Sequence, residues 1–568
     1  MKHINYLRKI ALAALMAVGC MAADAQQVKN VILLIPDGCS LATVSTARWY
    51  QWYNNPGQEF LYIDPYLSGT VRTTCSNAPI GDSAPTTSCY MTGYPSLAGW
   101  VSTYPIADAK NDIYPMDPAK AYQPLTTVLE AARLMYGKST GLVCTCEFPH
   151  ATPADCSSHS YNRSNYDWII PQQVHNSINV IIGGGAGLLP QESEEYLKQK
   201  GYGVFRNDVE AMRSYKGDNM WALYSHTDMA YELDRDPSKE PAIDEMTRIA
   251  IEKLSHNPNG FFLMVEGSKV DWAAHDNDAI AMATDFLAFD RACNAAFEFA
   301  KRDGNTAVIV VPDHGNSGIS IGRRDQGDYS KRTKDQLFGA LSKYRATAPV
   351  MARKINEASF EDLQKVFMEY CGFELTEQEV EALKNCKEYE KSPIPRDQRK
   401  PFKGSLYNSG LSRMIAQFMT ERTGLAFTTN GHTGEDVFLA SYHPQEAHRA
   451  KGMLTNVQLN EYLCNMLGTT HASLDSLTAA NFASHKEVLK DFDCAITTTK
   501  HQGKDAATLT VKGKPLGKSV LTLHAGSNVV EVKTGKKVRT VELPTVTVYV
   551  DKTDVFYLKR DLIEYVMK

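Results

Sequence analysis

The chain has 568 residues, 43% hydrophobic and 22% charged, with a formal net charge of −5. That balance suits a globular protein with a large core and excludes a disordered or fibrous chain. A mildly acidic surface gives no electrostatic basis for holding nucleic acid, so no nucleic-acid partner is expected.

Lys2, Arg8 and Lys9 precede the apolar run 10–19, and Ala23-Asp24-Ala25 supplies the small-x-small pattern of a signal-peptidase site. The expectation is a signal peptide over 1–25 and an exported protein, periplasmic or secreted. Lipid anchoring through Cys20 is the less favoured reading, because Ala17-Val18-Gly19 matches a lipoprotein box only moderately. Residues 1–25 carry three positive charges and one negative, so their removal takes the net charge from −5 to −7. No later run reaches the length of a membrane span. Cys144 and Cys146 stand two apart on a strand and are expected to point to opposite faces, not to share a metal.

Residues 29–35 read as a strand buried on both faces. The strand ends at Pro36-Asp37-Gly38 and so puts Asp37 where open α/β sheets bind ligands. Taken alone, Asp37-Gly38 is a turn. At Gly81-Asp82-Ser83-Ala84-Pro85 an irregular segment becomes a helix, which sets Ser83 beside unpaired helical N–H groups that favour an anion. A serine there can attack phosphorus, although the segment by itself is only a helix cap.

A helix over 125–135 and a strand over 139–146 lead to Pro149-His150-Ala151-Thr152-Pro153-Ala154-Asp155, then to a short helix carrying His159, with Arg163 beyond. A strand over 178–182 runs into Gly183-Gly184-Gly185. A helix over 242–255 precedes a strand over 261–265 that delivers Glu266. If the segment from Asp271 is helical, Asp271 and His275 lie at i and i+4 and can reach one ion; a plain intrahelical ion pair is the alternative. The strand 306–311 delivers Asp313-His314, and a loop at 430–436 supplies His432, which alone reads as a surface residue.

Strand and helix alternate from 29 to about 320, which predicts an α/β fold: a doubly wound, mostly parallel central sheet with helices on both faces. The expected division is a catalytic core over 26–318, a mainly helical insertion over 319–425, a return of the core over 426–467, and a small β-rich C-terminal extension over 468–568. In the insertion, Phe360, Leu363, Val366, Phe367 and Tyr370 form one apolar face, and Thr376 with Glu379 fits a capping box. In the extension, 508–511, 529–532 and 545–550 are β-branched runs expected in one small antiparallel sheet.

Together these segments resemble the alkaline phosphatase family. The resemblance rests on Ile32-Leu33-Leu34-Ile35-Pro36-Asp37-Gly38, Asp82-Ser83-Ala84, Ala151-Thr152-Pro153-Ala154, Gly183-Gly184-Gly185, Val265-Glu266-Gly267, Asp271 with His275, Asp313-His314 and His432-Thr433-Gly434, in the family's order over 29–467. It implies a phosphomonoesterase acting on small phosphate monoesters through a phosphoserine on Ser83. Arg163, thirteen residues beyond His150, matches the arginine that grips two phosphate oxygens. By the same resemblance Asp271, His275 and His432 hold one zinc, Asp37, Asp313 and His314 a second, and Asp37, Thr152 and Glu266 a magnesium. A homodimer is also implied.

His150 and Trp272, both substrate-binding candidates, stand where some relatives have Asp and Lys. His150 is expected to contact the magnesium's water shell or the phosphate through water, and Trp272, which cannot donate a charge, to leave phosphate held with less positive charge. The alternatives are a phosphodiesterase or sulfatase of the same superfamily, or a non-catalytic phosphate-binding surface protein. A sulfatase signature would need arginine where this chain has Thr87, and no ligand or nucleophile is missing as a non-catalytic relative would require.

Overall fold

The computed structural model describes residues 27–394, 410–501 and 503–568. The expected signal peptide and Cys20 lie outside the described residues. Ten strands form the central sheet: β1 (Asn30–Pro36), β2 (Leu67–Arg72), β3 (Ser139–Glu147), β4 (Val180–Gly184), β5 (Gly203–Arg206), β6 (Met220–Tyr224), β7 (Phe261–Gly267), β8 (Thr306–Val310), β9 (Val437–Tyr442) and β10 (Gly452–Thr455). Their order is β10-β2-β9-β8-β1-β7-β3-β4-β6-β5. Every pairing is parallel except those of β9, which runs antiparallel to β2 and β8.

The β1 run is continuously apolar because both faces are covered. Val31, Leu33 and Ile35 enter one core with residues of α1 (Ser83–Thr92), α2 (Val128–Tyr136) and, near the chain's return, Leu459 and Leu463. Ile32 and Leu34 enter the opposite core with Met246, Ala250, Phe286 and Phe289. The parallel register brings the ends of β1 and β7 together, with Ile35 opposite Glu266 and Pro36 opposite Gly267. The sheet therefore gathers Asp37, Glu266 and the segment after β8 at one edge, the carboxyl ends of adjoining parallel strands.

Two helices follow those strand ends. The first, α3 (Ala151–Ser157), stops before His159; that histidine is buried against Ser102 O at 3.1 Å and Glu130 Oε1 at 3.3 Å, correcting its expected place on the helix. The second is α4 (Lys269–His275). Between Ser320–Ile321 and its antiparallel partner Leu425–Ala426 the described residues are mainly helical, and Leu363, Phe367 and Leu383 share one core with Ala273, Ala274 and Met282. Phe360 is 41% exposed and stands outside that apolar face, while the Thr376–Glu379 capping box forms.

The C-terminal β-rich region holds a five-stranded antiparallel sheet in sequence order: β11 (Asp493–His501), β12 (Lys504–Lys512), β13 (Ser519–His524), β14 (Val529–Thr534) and β15 (Lys537–Glu542). The third β-branched run does not join it. Val548–Val550 pairs instead with Val555–Leu558 in a separate three-stranded sheet.

Candidate active site

Ser83 is the first residue of α1, preceded by Asp82 in extended conformation. Asp82 gives that helix no side-chain cap. Its Oδ1 accepts from Arg163 Nη1 at 2.5 Å and its Oδ2 from Gly99 N at 2.9 Å. The first turn of α1 thus keeps amide donors aimed at the space in front of Ser83, a setting for an anion. The Ser83 hydroxyl is buried and donates toward Asp37 Oδ1 at 3.3 Å, with His314 Nε2 also at 3.3 Å.

Asp37 follows β1 directly, and the turn behind it is crowded. Gly38 has φ +58°, and a Cβ there would lie 2.1 Å from Asp271 Oδ1. The Gly38 amide donates to Asp313 Oδ1 at 3.0 Å, tying the β1 turn to the β8 turn. His432 arrives from far along the chain through a two-residue antiparallel pairing in which it faces Asn316. Its ring stacks on that of His314 with centroids 3.8 Å apart.

Three imidazoles share one orientation. His275 Nδ1 donates to Asn430 O at 2.7 Å, His432 Nδ1 to Gly81 O at 2.9 Å, and His314 Nδ1 to Gly315 O at 3.1 Å. A carbonyl only accepts, so each Nδ1 carries the proton and each Nε2 turns a lone pair inward. His275 Nε2 and His432 Nε2 then face each other at 3.2 Å, with Asp271 Oδ2 3.3 Å from the former and Asp271 Oδ1 3.9 Å from the latter. Lone pair against lone pair beside a carboxylate is an arrangement that a cation relieves.

The carboxylates show the same need. Burial, then the neighbouring Asp313, Asp271 and Glu266, raise the Asp37 pKa well above its ordinary value. Burial, with Asp313 adding to it, pushes Glu266 up to about 7. Asp271 goes the other way: burial opposes ionisation, but the adjoining His275 and the nearby His314 and His432 hold it below the usual carboxylate range.

Residues 28–469 match the family model described as alkaline phosphatase. The chain belongs to the alkaline phosphatase family. It is 30% identical to alkaline phosphatase 4 of Bacillus subtilis over 462 residues, covering 78% of this chain and 90% of that protein. It is 31% identical to alkaline phosphatase 3 of the same organism, covering 80% and 94%. Among solved structures, the cold-active alkaline phosphatase of Shewanella sp. superposes with a TM-score of 0.65 at 25% identity, covering 77% of this chain and 99% of that one. With this family the chain is a phosphomonoesterase.

Metal ions are implied by the alkaline phosphatase family, and the residues present fit them. Thr152 Oγ1, Glu266 Oε1, Asp313 Oδ2 and His150 Nδ1 are buried with no hydrogen-bond partner among the described residues. Donor atoms of Asp37, Asp313 and His314 lie within 4.8 Å of one another, as do those of Asp271, His314 and His432, and those of Asp37, His150 and Glu266. Imidazole with carboxylate suits zinc, and an oxygen-rich pocket suits magnesium.

His150 and Trp272 come together beside this alkaline phosphatase centre. Their rings meet edge to face with centroids 5.8 Å apart, and His150 Nε2 lies 3.1 Å from Arg163 Nη2. Burial, then the Arg163 charge, lowers the His150 pKa to about 3, so its Nε2 accepts from the guanidinium.

Two further residues shape the alkaline phosphatase site without any motif of their own. Lys269 Nζ lies 4.2 Å from the centroids of both Trp272 and Tyr231 and donates to Asp228 Oδ2 at 2.5 Å. Only its nearness to Asp271 in sequence could have pointed to Lys269, and Asp228 has no local signal at all.

Cys144 and Cys146 share a face, as strand alternation requires of residues two apart. Their sulfurs and a Glu266 oxygen lie within 4.8 Å of one another, correcting the expectation of opposite faces. Ser268 Oγ accepts from Thr145 N at 3.3 Å and Cys146 N at 3.0 Å, and the β3–β4 register shifts between Val143 and Glu147. The ladder is irregular there, yet the period of two holds across 144 and 146.

Proposed function

We propose that the protein hydrolyses phosphate monoesters to alcohol and inorganic phosphate through a phosphoserine on Ser83, with two zinc ions and one magnesium as resident metals. Asp271, His275 and His432 would hold one zinc, Asp37, Asp313 and His314 the other, and Asp37, Thr152 and Glu266 the magnesium. When bound, these ions supply Lewis-acid charge at the attacking and leaving oxygens.

The chain's own groups divide the remaining work. The observation that carries this reading is the Ser83 hydroxyl, held 3.3 Å from Asp37 Oδ1 at an uncapped helix start, with Arg163 fastened to the adjoining Asp82. The α1 amides and the planar Arg163 fork receive the phosphate's equatorial oxygens, a geometry that a lysine point charge would not reproduce. Ser83 Oγ bonds to phosphorus as the ester P–O bond breaks and the alcohol departs. Water then attacks the phosphoserine, which releases phosphate and restores Ser83. His150 and Trp272 wall the phosphate side, and His150 keeps Arg163 in plane.

This reading also makes the protein exported, periplasmic or secreted, and a homodimer. Among the described residues no helix is long and apolar enough to cross a membrane.

The test is hydrolysis of a chromogenic phosphate monoester at alkaline pH by wild type and Ser83→Ala, after chelation and again after zinc and magnesium are restored. Activity that needs both the metals and Ser83 is expected. An inactive metal-loaded wild type that cleaves a diester or a sulfate ester would overturn the monoesterase reading.

A further inference from the structure

Behind the magnesium position lies a second set of donors that the phosphatase chemistry does not use. Glu266 presents two different oxygens. Oε1 is buried without a hydrogen bond, whereas Oε2 accepts from Cys146 Sγ at 3.3 Å. Cys144 lies opposite Glu266 in the β3–β7 register, and its thiol donates to Cys146 O at 3.4 Å. Both cysteines and Glu266 are fully buried. The sulfurs converge because residues two apart on a strand share a face, and because Gly183 leaves room; Ser268 Oγ accepts from the Thr145 and Cys146 amides beside them. A Cβ at Gly183 would lie 2.6 Å from Cys144 Sγ.

We infer that Cys144, Cys146 and Glu266 form a binding site for a soft or borderline divalent cation, zinc or cadmium. Two sulfurs and a carboxylate oxygen within 4.8 Å of one another match the spread of three ligands around a tetrahedral ion with metal–sulfur bonds of about 2.3 Å. Thiolate ligands select such ions over magnesium and calcium, so this position differs in preference from the oxygen-rich pocket across the same carboxylate. Each ligating thiol gives up its proton to solvent as the ion enters, and the dication offsets most of the buried negative charge that results. The site shares Glu266 with the magnesium position proposed above. Occupancy by the soft ion therefore competes for that carboxylate, a consequence that rests on the proposed function; the site itself does not.

The test is a cadmium titration of the reduced, chelator-stripped full chain, followed by ultraviolet absorbance. Histidine and carboxylate ligands give no sulfur-to-metal charge-transfer band, so the family's metal positions stay silent in this readout. A thiolate–cadmium band that saturates at one bound ion is expected. It should be abolished in Cys144→Ala/Cys146→Ala, be about halved in Cys146→Ser or Cys144→Ser, and be unchanged in Cys494→Ser, which alters an exposed cysteine. Absence of the band in the wild type, or its persistence at full strength in the single serine variants, would overturn the proposal. Hydrolysis is not read, so failure here leaves the phosphatase reading standing.

Discussion

Asp82 is fastened to Arg163, Oδ1 to Nη1 at 2.5 Å, and leaves the helix it precedes without a side-chain cap. Burial opposes the ionised form, but the Arg163 charge still holds the Asp82 pKa below its ordinary value. Asp82→Ala should therefore act on substrate binding more than on folding. The KM for a monoester is expected to rise on the order of tenfold as the guanidinium loses a charge-assisted hydrogen bond, with a smaller fall in kcat. The melting temperature should move by only a few degrees, because no helix cap is lost. Steady-state kinetics with a parallel thermal melt separate the two effects.

At Gly38 two constraints coincide: a left-handed backbone and an Asp271 oxygen 2.1 Å from where a Cβ would stand. Gly38→Ala must displace Asp271 and, through it, the facing His275 and His432. A loss in kcat/KM on the order of 100-fold is expected, in line with misplacement of a catalytic group by about 1 Å. Metal analysis after both proteins are stripped and reloaded with zinc should show less bound zinc in the variant than in wild type.

Trp272 already has a cation beneath it, since Lys269 Nζ lies 4.2 Å from its ring and is committed to Asp228. Trp272→Lys should tighten inhibition by inorganic phosphate several-fold through the added positive charge. The nearby Lys269 limits that gain by like-charge repulsion. Lys269→Met leaves Asp228 without its partner and removes the support under Trp272. It is expected to destabilise the protein by about 2 kcal/mol, read as a lowered melting temperature.

The C-terminal sheet meets the core through His175, His501 and His524. The His501 and His524 rings stack at 4.2 Å, and His175 Nδ1 meets Asn528 Oδ1 at 2.9 Å. Burial lowers the His175 and His501 pKa values to about 4, from an ordinary 6.5. The unfolded chain then binds more protons than the folded one between those values, so stability falls as pH drops from 6.5 toward 4 and loses nothing further from these two groups below that. Thermal melts of the full chain across that window should show a falling melting temperature, with a shallower slope in His501→Gln.

Much of this architecture was legible because its causes are local. A continuously apolar run such as 31–35 can only be a strand covered on both faces, and acidic residues directly after such runs land at the sheet's carboxyl edge whatever the rest of the chain does. The Thr376–Glu379 cap formed for the same reason, since both of its partners lie within one helical turn. The expectation for Cys144 and Cys146 had the alternation inverted: residues two apart on a strand lie on one face, and both sulfurs are found there. The 545–550 run misled for another reason: β-branched residues predict a strand but not which sheet receives it.

The order of the motifs pointed to the family, and that resemblance, with residue types suited to metals and an anion, nominated Asp37, Ser83, Glu266, Asp271, Asp313, His314 and His432. What the sequence left open, and the tertiary structure decided, was how these groups are aimed. Three imidazoles turn Nε2 inward only because Asn430, Gly81 and Gly315 carbonyls stand behind them. Asp82 serves Arg163 and not its own helix only because residue 163 folds back across 81 positions. Lys269 becomes the support for Trp272 only when Tyr231 and Asp228 close around it. Identity and spacing are properties of the chain, but a hydrogen-bond direction or a shared carboxylate depends on which distant segments pack together, and that is settled by folding.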